Sequence, residues 1–272
     1  MKYSDEVFGR GLIHKDAKRV WDWVGSDTIH LFDSNLSKFT DNYSLNQYIK
    51  NPIKYVHNKN GFRTPDEFNS VDEGNIFLGC SHTEGVGHHL ENVWSYRLNK
   101  HVGGKFWNLA MGASGVLTAH RLFMHYITKL KVKNVFMYIP HIYRYEFWHN
   151  GYWNVLSLVN VDKIDTSTTT KSILIDDYQA FTTVSLGVKS IAYECSKRGI
   201  NFYFDNHIPQ REHSIEHASE LKILEARDLM HFCINDQNKI YDKFMSLFSS
   251  KKTFDQIEDK VNLIPKDLTR LI

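Results

Sequence analysis

The stretch Asn75-Ile-Phe-Leu-Gly-Cys-Ser-His-Thr-Glu-Gly-Val-Gly87 decides the fold of this 272-residue chain. Its apolar start, Ile76-Phe77-Leu78, predicts a buried strand. Small residues follow, Gly79-Cys80-Ser81, before a segment of helical character. Parallel α/β enzymes place reactive groups at such corners, at the carboxyl end of the sheet. Ser81 is therefore a candidate nucleophile, although a plain turn with a capping serine has the same local pattern.

A second pattern lies near the other end of the chain, in Ala226-Arg-Asp-Leu-Met-His231. The spacing of Asp228 and His231 lets a carboxylate hold an imidazole in one tautomer while the other ring nitrogen faces a third group. Asp-x-x-His pairs also cap helices, so the pair alone is weak support for a site. Together with Ser81, however, it supplies a nucleophile, a base and an orienting acid.

At these positions the chain resembles the SGNH (GDSL-type) hydrolases, over roughly residues 74 to 248. The segment Gly79 to Gly85 is similar to their first block, with Cys80 where many members have Asp. Residues 226 to 231 are similar to the last block, and Asn108-Leu-Ala-Met-Gly-Ala-Ser-Gly115 to the second. The third block departs, because the family has Gly-x-Asn-Asp where this chain has Tyr138-Ile-Pro-His-Ile-Tyr-Arg-Tyr-Glu146.

The resemblance implies a fold and an activity. The fold is α/β, a doubly wound three-layer sandwich with a mainly parallel central sheet, flavodoxin-like. The activity is ester hydrolysis through an acyl-serine, with Ser81, Asp228 and His231 catalytic and no cofactor or metal. The oxyanion hole is expected from the backbone N–H of Ser81 and from the Gly112–Ala113 turn.

The missing third-block Asn leaves alternatives open. A replacement is expected either from His141 or from the polar segment 207–220, and nothing in the sequence decides between them. If the Asn is not replaced, the alternative is a binding or structural protein that keeps the fold but has weak or no catalytic turnover. A transferase that uses the same acyl-serine is a third possibility.

Hydrophobic periodicity supports the α/β class independently. Further strands are predicted at 106–110, 134–140 and 201–205, with a weaker one at 53–57. Helices are predicted at 86–99, from Val116 onward, at about 177–198 before Gly199, and at 236–248. Successive strand–turn–helix units imply parallel pairing with right-handed crossovers. We divide the chain into three parts: residues 1–70 as an N-terminal extension packed on the main domain, residues 71–250 as the hydrolase-like domain, and residues 251–272 as a C-terminal tail.

The segment 141–153 is crowded with aromatic residues and follows the third strand, at the edge where the site is expected. It is interpreted either as an aromatic loop over the core or as a substrate wall. In the second interpretation His141, Tyr143 and Arg144 bind substrate, with aromatic faces for sugar rings and the guanidinium for a carboxylate or phosphate. The expected partner is a small-molecule or carbohydrate ester.

Composition narrows the class of protein. The net charge of +2 and the pI near 8.3 give no basic field for nucleic acid. No run of about eighteen apolar residues predicts a membrane span, and the N-terminus lacks the apolar region of a signal peptide. The 3 cysteines do not suggest a disulfide framework. We therefore expect a cytoplasmic protein, or one otherwise without a classical signal peptide, whose oligomeric state the sequence leaves open. His88 and His89 are interpreted as a solvated face or groove wall, and the polar segment 160–175 as a surface loop and possible lid.

Overall fold

The structure is a computed structural model, and it describes residues 20–149, 152–157, 177–205 and 214–251. The predicted lid at 160–175, the tail beyond residue 251 and residues 207–213 of the polar segment lie outside the described residues. In chain order the elements are β1 (Val20–Trp21), α1 (Ile29–Lys38), α2 (Tyr43–Lys50), β2 (Tyr55–Val56), β3 (Glu73–Leu78), α3 (Ser81–Glu84), a 3₁₀ helix (Leu90–Asn92), α4 (Trp94–Val102), β4 (Lys105–Asn108), α5 (Val116–Tyr126), β5 (Lys131–Tyr138), β6 (Arg144–His149), β7 (Tyr152–Ser157), α6 (Asp177–Lys197), β8 (Asn201–Asp205), α7 (Ile215–Glu220) and α8 (Ile234–Ser249).

The core is a four-stranded parallel sheet with the strand order β4-β3-β5-β8. An asparagine ladder crosses three of these strands near their start: Asn134 donates to Asn75 at 2.7 Å, and Asn201 donates to Asn134 at 3.0 Å. Two residues further along each strand, the rings of Phe77, Phe136 and Tyr203 stack in register. The centroids of the first two rings are 5.2 Å apart, and those of the last two are 5.1 Å apart. Both ladders tie equivalent positions together and so oppose a slip in register. The predicted α/β class with a mainly parallel sheet is therefore confirmed.

Helices cover both faces of this sheet, because successive strand residues point to opposite sides. Ile76 and Leu78 pack with α5 and α6 on one face, through residues such as Leu122 and Ile191. Phe77 packs with α4 and α8 on the other face, where the rings of Trp94 and Phe244 stack 4.6 Å apart. Such a helix–sheet–helix arrangement is compatible with a three-layer sandwich. No helix within the described residues is long and apolar enough to cross a bilayer.

The helix predicted at 86–99 is wrong in its first half. Only the four residues Ser81–Glu84 are helical directly after β3, and the next long helix begins at Trp94. Gly85 and Gly87 lie between them with φ of 86° and 81°, a left-handed conformation that a continuous helix cannot contain. The two glycines thus turn this segment into an irregular loop.

The aromatic segment is not a loop, which corrects the first interpretation of 141–153. It forms the antiparallel hairpin of β6 and β7, with His149 paired to Tyr152. Its signal in the sequence is Asn150-Gly151, a dipeptide typical of two-residue hairpin turns. The buried ion pair between Arg121 of α5 and Glu146 of β6, at 2.6 Å, fastens the hairpin to the helix layer.

The N-terminal elements β1, α1, α2 and β2 pack beside the segment 223–228. Ser44 of α2 accepts the Glu225 N–H at 2.7 Å, and the Tyr48 hydroxyl donates to the Glu225 carbonyl at 2.8 Å. The predicted strand at 53–57 is reduced to Tyr55–Val56, which pairs with β1 in a separate two-stranded sheet. These contacts bind the N-terminal segment to the loop that contains Asp228.

Candidate active site

Ser81 lies at the carboxyl end of the central strand β3, as the first residue of α3, and is 6% exposed. The approach to it is crowded: a Cβ on Gly79 would lie 2.2 Å from Thr83 Oγ1. The Gly79 carbonyl accepts the Ser114 hydroxyl at 2.9 Å and the Met111 N–H at 3.4 Å. The loop after β4 is thereby bound to the turn that presents Ser81.

Asp228 and His231 form the predicted pair, with His231 Nδ1 2.7 Å from Asp228 Oδ2. The other carboxylate oxygen accepts the backbone N–H groups of Met230, at 3.0 Å, and His231, at 3.2 Å. Leu229 has a φ of 55°, so the chain turns sharply within the motif. Burial alone would raise the pKa of Asp228, but the hydrogen bonds and the His231 ring lower it to about 2. At neutral pH the carboxylate is ionised and occupies Nδ1, which leaves Nε2 as the ring nitrogen for a third group.

The segments that carry Ser81 and Asp228 are in direct contact. Arg227 donates its backbone N–H to the Gly87 carbonyl at 2.8 Å. Next to Ser81, the His82 ring lies 5.1 Å from the His231 ring and stacks on Phe232 at 3.7 Å between centroids. The fold therefore brings the segment after Ser81 and the segment that contains Asp228 and His231 together at the end of β3. The approach of the Ser81 hydroxyl to His231 Nε2 stays a prediction.

Arg63 is a site residue to which the sequence gives no role, although Asn58-Lys-Asn-Gly-Phe-Arg63 resembles a lead-in found before the first block. Its buried guanidinium donates to three carbonyls in the loop after Ser81: those of Glu84, Gly85 and His88, the last at 2.7 Å. It also lies over the Tyr55 ring, 4.3 Å from the centroid. Arg63 therefore acts as a clamp that shapes the loop between Ser81 and the Asp228 segment.

His88 corrects another interpretation, because it is fully buried rather than part of a solvated face or groove wall. Its Nε2 lies 2.6 Å from the Phe232 carbonyl, and its buried Nδ1 has no hydrogen-bond partner among the residues that the structure describes. Burial lowers the pKa of His88 to about 4. The neutral ring thus supports the residue that follows His231.

The predicted oxyanion hole is only partly available. The N–H of Gly112 donates to the buried carboxylate of Glu84 at 2.5 Å and so is not free for a substrate oxygen. Ala113 has a φ of 60°, which makes the turn unusual for a non-glycine residue. The donors of Ser81 and Ala113 stay predictions, while Gly112 requires Glu84 to move.

The three predicted substrate-binding residues lie at the start of the hairpin, next to the other loops. His141 Nδ1 accepts the Tyr143 N–H at 3.3 Å, so the neutral ring carries its proton on Nε2. Burial and the neighbouring Arg144 lower the pKa of His141. Arg144 Nη1 donates to the Ser114 carbonyl at 3.4 Å, and its buried Nε has no partner within the described segments. The third-block segment therefore contacts the loop that holds Gly79.

Within the described segments, no three His, Cys, Asp or Glu side chains lie close enough together to hold a metal ion. A scan against protein-family models gave no match for this chain, and a search of curated proteins gave no significantly similar relative.

Proposed function

We propose that the protein is a serine hydrolase of ester bonds that acts through an acyl-serine. The observation that carries the proposal is the Asp228–His231 pair, which lies against the neighbour of a serine at the end of the central strand. A carboxylate bound to Nδ1 fixes the tautomer in which Nε2 accepts a proton. A strand-end serine, an oriented imidazole and a buried carboxylate are the groups that acyl transfer needs.

In the proposed reaction the Ser81 hydroxyl attacks the ester carbonyl while His231 Nε2 takes the hydroxyl proton. The proton then passes to the leaving alcohol, and an acyl-serine remains. Water, deprotonated by the same nitrogen, releases the acid and restores Ser81. Asp228, ionised at neutral pH, orients the ring and stabilises its charged form. The developing oxyanion is expected on the backbone N–H groups of Ser81 and Ala113.

Two features favour a substrate with sugar or acidic groups. Phe147 of the hairpin is 46% exposed and offers a face for a carbohydrate ring. Arg144 contacts no carboxylate among the residues that the structure describes, and its buried Nε is unpaired. A guanidinium in that state suits a carboxylate or phosphate on the substrate.

The first experiment is labelling with a fluorophosphonate probe, which reacts with activated serines, followed by peptide mapping. We expect label on Ser81 in the wild type and none in Ser81→Ala. Hydrolysis of short chromogenic esters should be lost in the same variant. The matched control is Ser95→Ala, a buried serine whose hydroxyl donates to the Thr83 carbonyl at 3.0 Å. Labelling that is unchanged in Ser81→Ala would refute the proposal.

One observation favours a second function, a binding protein with little turnover. Glu84 places a carboxylate on the Gly112 N–H, where an oxyanion would need a donor. Losing one oxyanion-hole donor costs about 10² to 10³ in rate. Glu84→Ala removes the acceptor and so frees the Gly112 N–H. Hydrolysis that appears only in this variant would support the binding function, whereas hydrolysis by the wild type supports the enzyme. Capture of the acyl group by an added alcohol would instead indicate a transferase.

A further inference from the structure

We propose that the N-terminal segment completes the active site, with Ser26 as a positioning residue for the Asp228–His231 pair. This inference rests on the proposed hydrolase function. It concerns a serine far from the pattern that indicated the site, 202 residues from Asp228 along the chain.

The contacts around Asp228 carry the proposal. The Ser26 hydroxyl donates to Asp228 Oδ2 at 2.8 Å, and His231 Nδ1 lies 2.7 Å from the same oxygen. The Asn35 side chain of α1 donates to the Asp228 carbonyl at 3.2 Å. Two groups from the N-terminal segment therefore hold the residue that orients the imidazole, one at its side chain and one at its backbone.

Ser26 is itself held in place by its neighbours. Val24 and Asp27 exchange two backbone hydrogen bonds of 3.1 Å around a tight turn. Asp27 is fully buried and forms an ion pair with Arg227 at 2.6 Å. The dipeptides Ser26-Asp27 and Arg227-Asp228 are thus bound side by side through two separate polar contacts. A hydroxyl fixed on both sides in this way can set the rotamer of the Asp228 carboxylate.

The hydroxyl also affects how strongly Asp228 acts on His231. A donor on Oδ2 stabilises the ionised carboxylate and makes it a weaker acceptor for the imidazole. Without Ser26, Asp228 should hold the charged imidazole more strongly and orient the ring less sharply. Other ionisable groups also face the pair: His82 and His88 from the segment after β3, Asp27 and Tyr48 from the N-terminal elements, and the adjacent Arg227.

The test compares Ser26→Ala with wild type in ester hydrolysis over a range of pH. We expect kcat to fall roughly ten-fold, as for loss of a hydrogen bond to a charged group. We also expect the midpoint of the acid limb of kcat/KM to rise by a few tenths of a pH unit, which a merely structural serine would not cause. Ser26→Thr keeps a hydroxyl and should restore both values towards wild type. The matched control is Ser37→Ala in α1, an exposed serine whose hydroxyl donates to the Ser34 carbonyl within the same helix.

The outcomes separate the inference from the function on which it rests. A wild-type protein that neither hydrolyses esters nor takes the fluorophosphonate label refutes the proposed function. An active wild type with unchanged kcat and pH profile in Ser26→Ala refutes the positioning role alone. If Ser26→Ala does not fold, Ser26→Cys replaces it, because a thiol is only a weak donor. The same two outcomes then decide.

Discussion

Acid should destabilise the protein through His88, which is buried in its neutral form. The ring donates from Nε2 to the Phe232 carbonyl, and its Nδ1 meets no hydrogen-bond partner in the part of the chain that the structure describes. A second proton would place a charged N–H in the interior, where no described residue accepts it. The folded protein therefore resists protonation, and the pKa of His88 falls from 6.5 to about 4.

The magnitude follows from linkage between proton binding and unfolding. The unfolded chain binds the proton below pH 6.5, whereas the folded protein binds it only near pH 4. Because the folded-state pKa is the lower one, the stabilisation is fully present above the unfolded pKa and is lost as the pH falls. Each pH unit in this window costs about 1.4 kcal/mol, so lowering the pH from 7 to 4.5 costs about 2 kcal/mol from His88.

Urea denaturation at a series of pH values measures this effect. His88→Gln keeps a donor for the Phe232 carbonyl but does not titrate, so its free energy of unfolding should fall less steeply between pH 6.5 and 4.5. His82 is present in both proteins and burial lowers its pKa, so it destabilises both of them in acid. His101→Gln, at an exposed position of α4, is the control and should parallel wild type. Parallel curves for wild type and His88→Gln would refute the argument.

Three further predictions test the site. Iodoacetamide and fluorophosphonate labelling should assign the nucleophile to Ser81, because Cys80 is only 2% exposed and has an extended backbone conformation just before the helix. Activity that is lost in Cys80→Ala but kept in Ser81→Ala would reverse the assignment. Asp228→Asn should lower kcat by up to about 10⁴-fold with little change in the circular dichroism spectrum, and a fully active variant would exclude Asp228. Gly87→Ala should lower the melting temperature more than Gly103→Ala. Both glycines have φ near 80°, but of the two new Cβ atoms only the one at 87 meets a neighbour, 2.8 Å away on Ala226. Equal decreases in melting temperature would show that this contact is unimportant.

The strands of the central sheet could be predicted from the sequence because their signal is local. Ile76-Phe77-Leu78 is a continuous apolar run and Asn134-Val-Phe-Met-Tyr138 a nearly continuous one, as expected for parallel strands buried on both faces. The pairing of Asp228 with His231 is also local, since the two lie three positions apart in the sequence. In both cases the interaction depends on residues close in sequence, so pattern alone is sufficient.

His88 shows what pattern could not provide. A pair of histidines directly after Gly87 indicates a solvated face or a groove wall. The burial of His88 depends instead on the Phe232 carbonyl, 144 residues away, and on the carbonyl of His88 itself being bound by Arg63. Both contacts join segments that are distant in sequence, and a single sequence gives no measure of such contacts.

The boundary drawn near residue 70 separates segments that the structure joins through polar contacts. Asp27 and Arg227 are both almost fully buried, with side chains 0% and 2% exposed. Removing one partner of such a pair leaves an uncompensated buried charge, which typically costs about 3–5 kcal/mol. The same ion pair aligns Ser26 with Asp228, so its loss would disturb the candidate site as well as the fold. The segment 20–57 thus belongs energetically with the loop that carries Asp228, although a sequence pattern assigns it to an extension. Because Ser26 and His231 both contact the Asp228 carboxylate, a shift of that segment would also move the His231 ring.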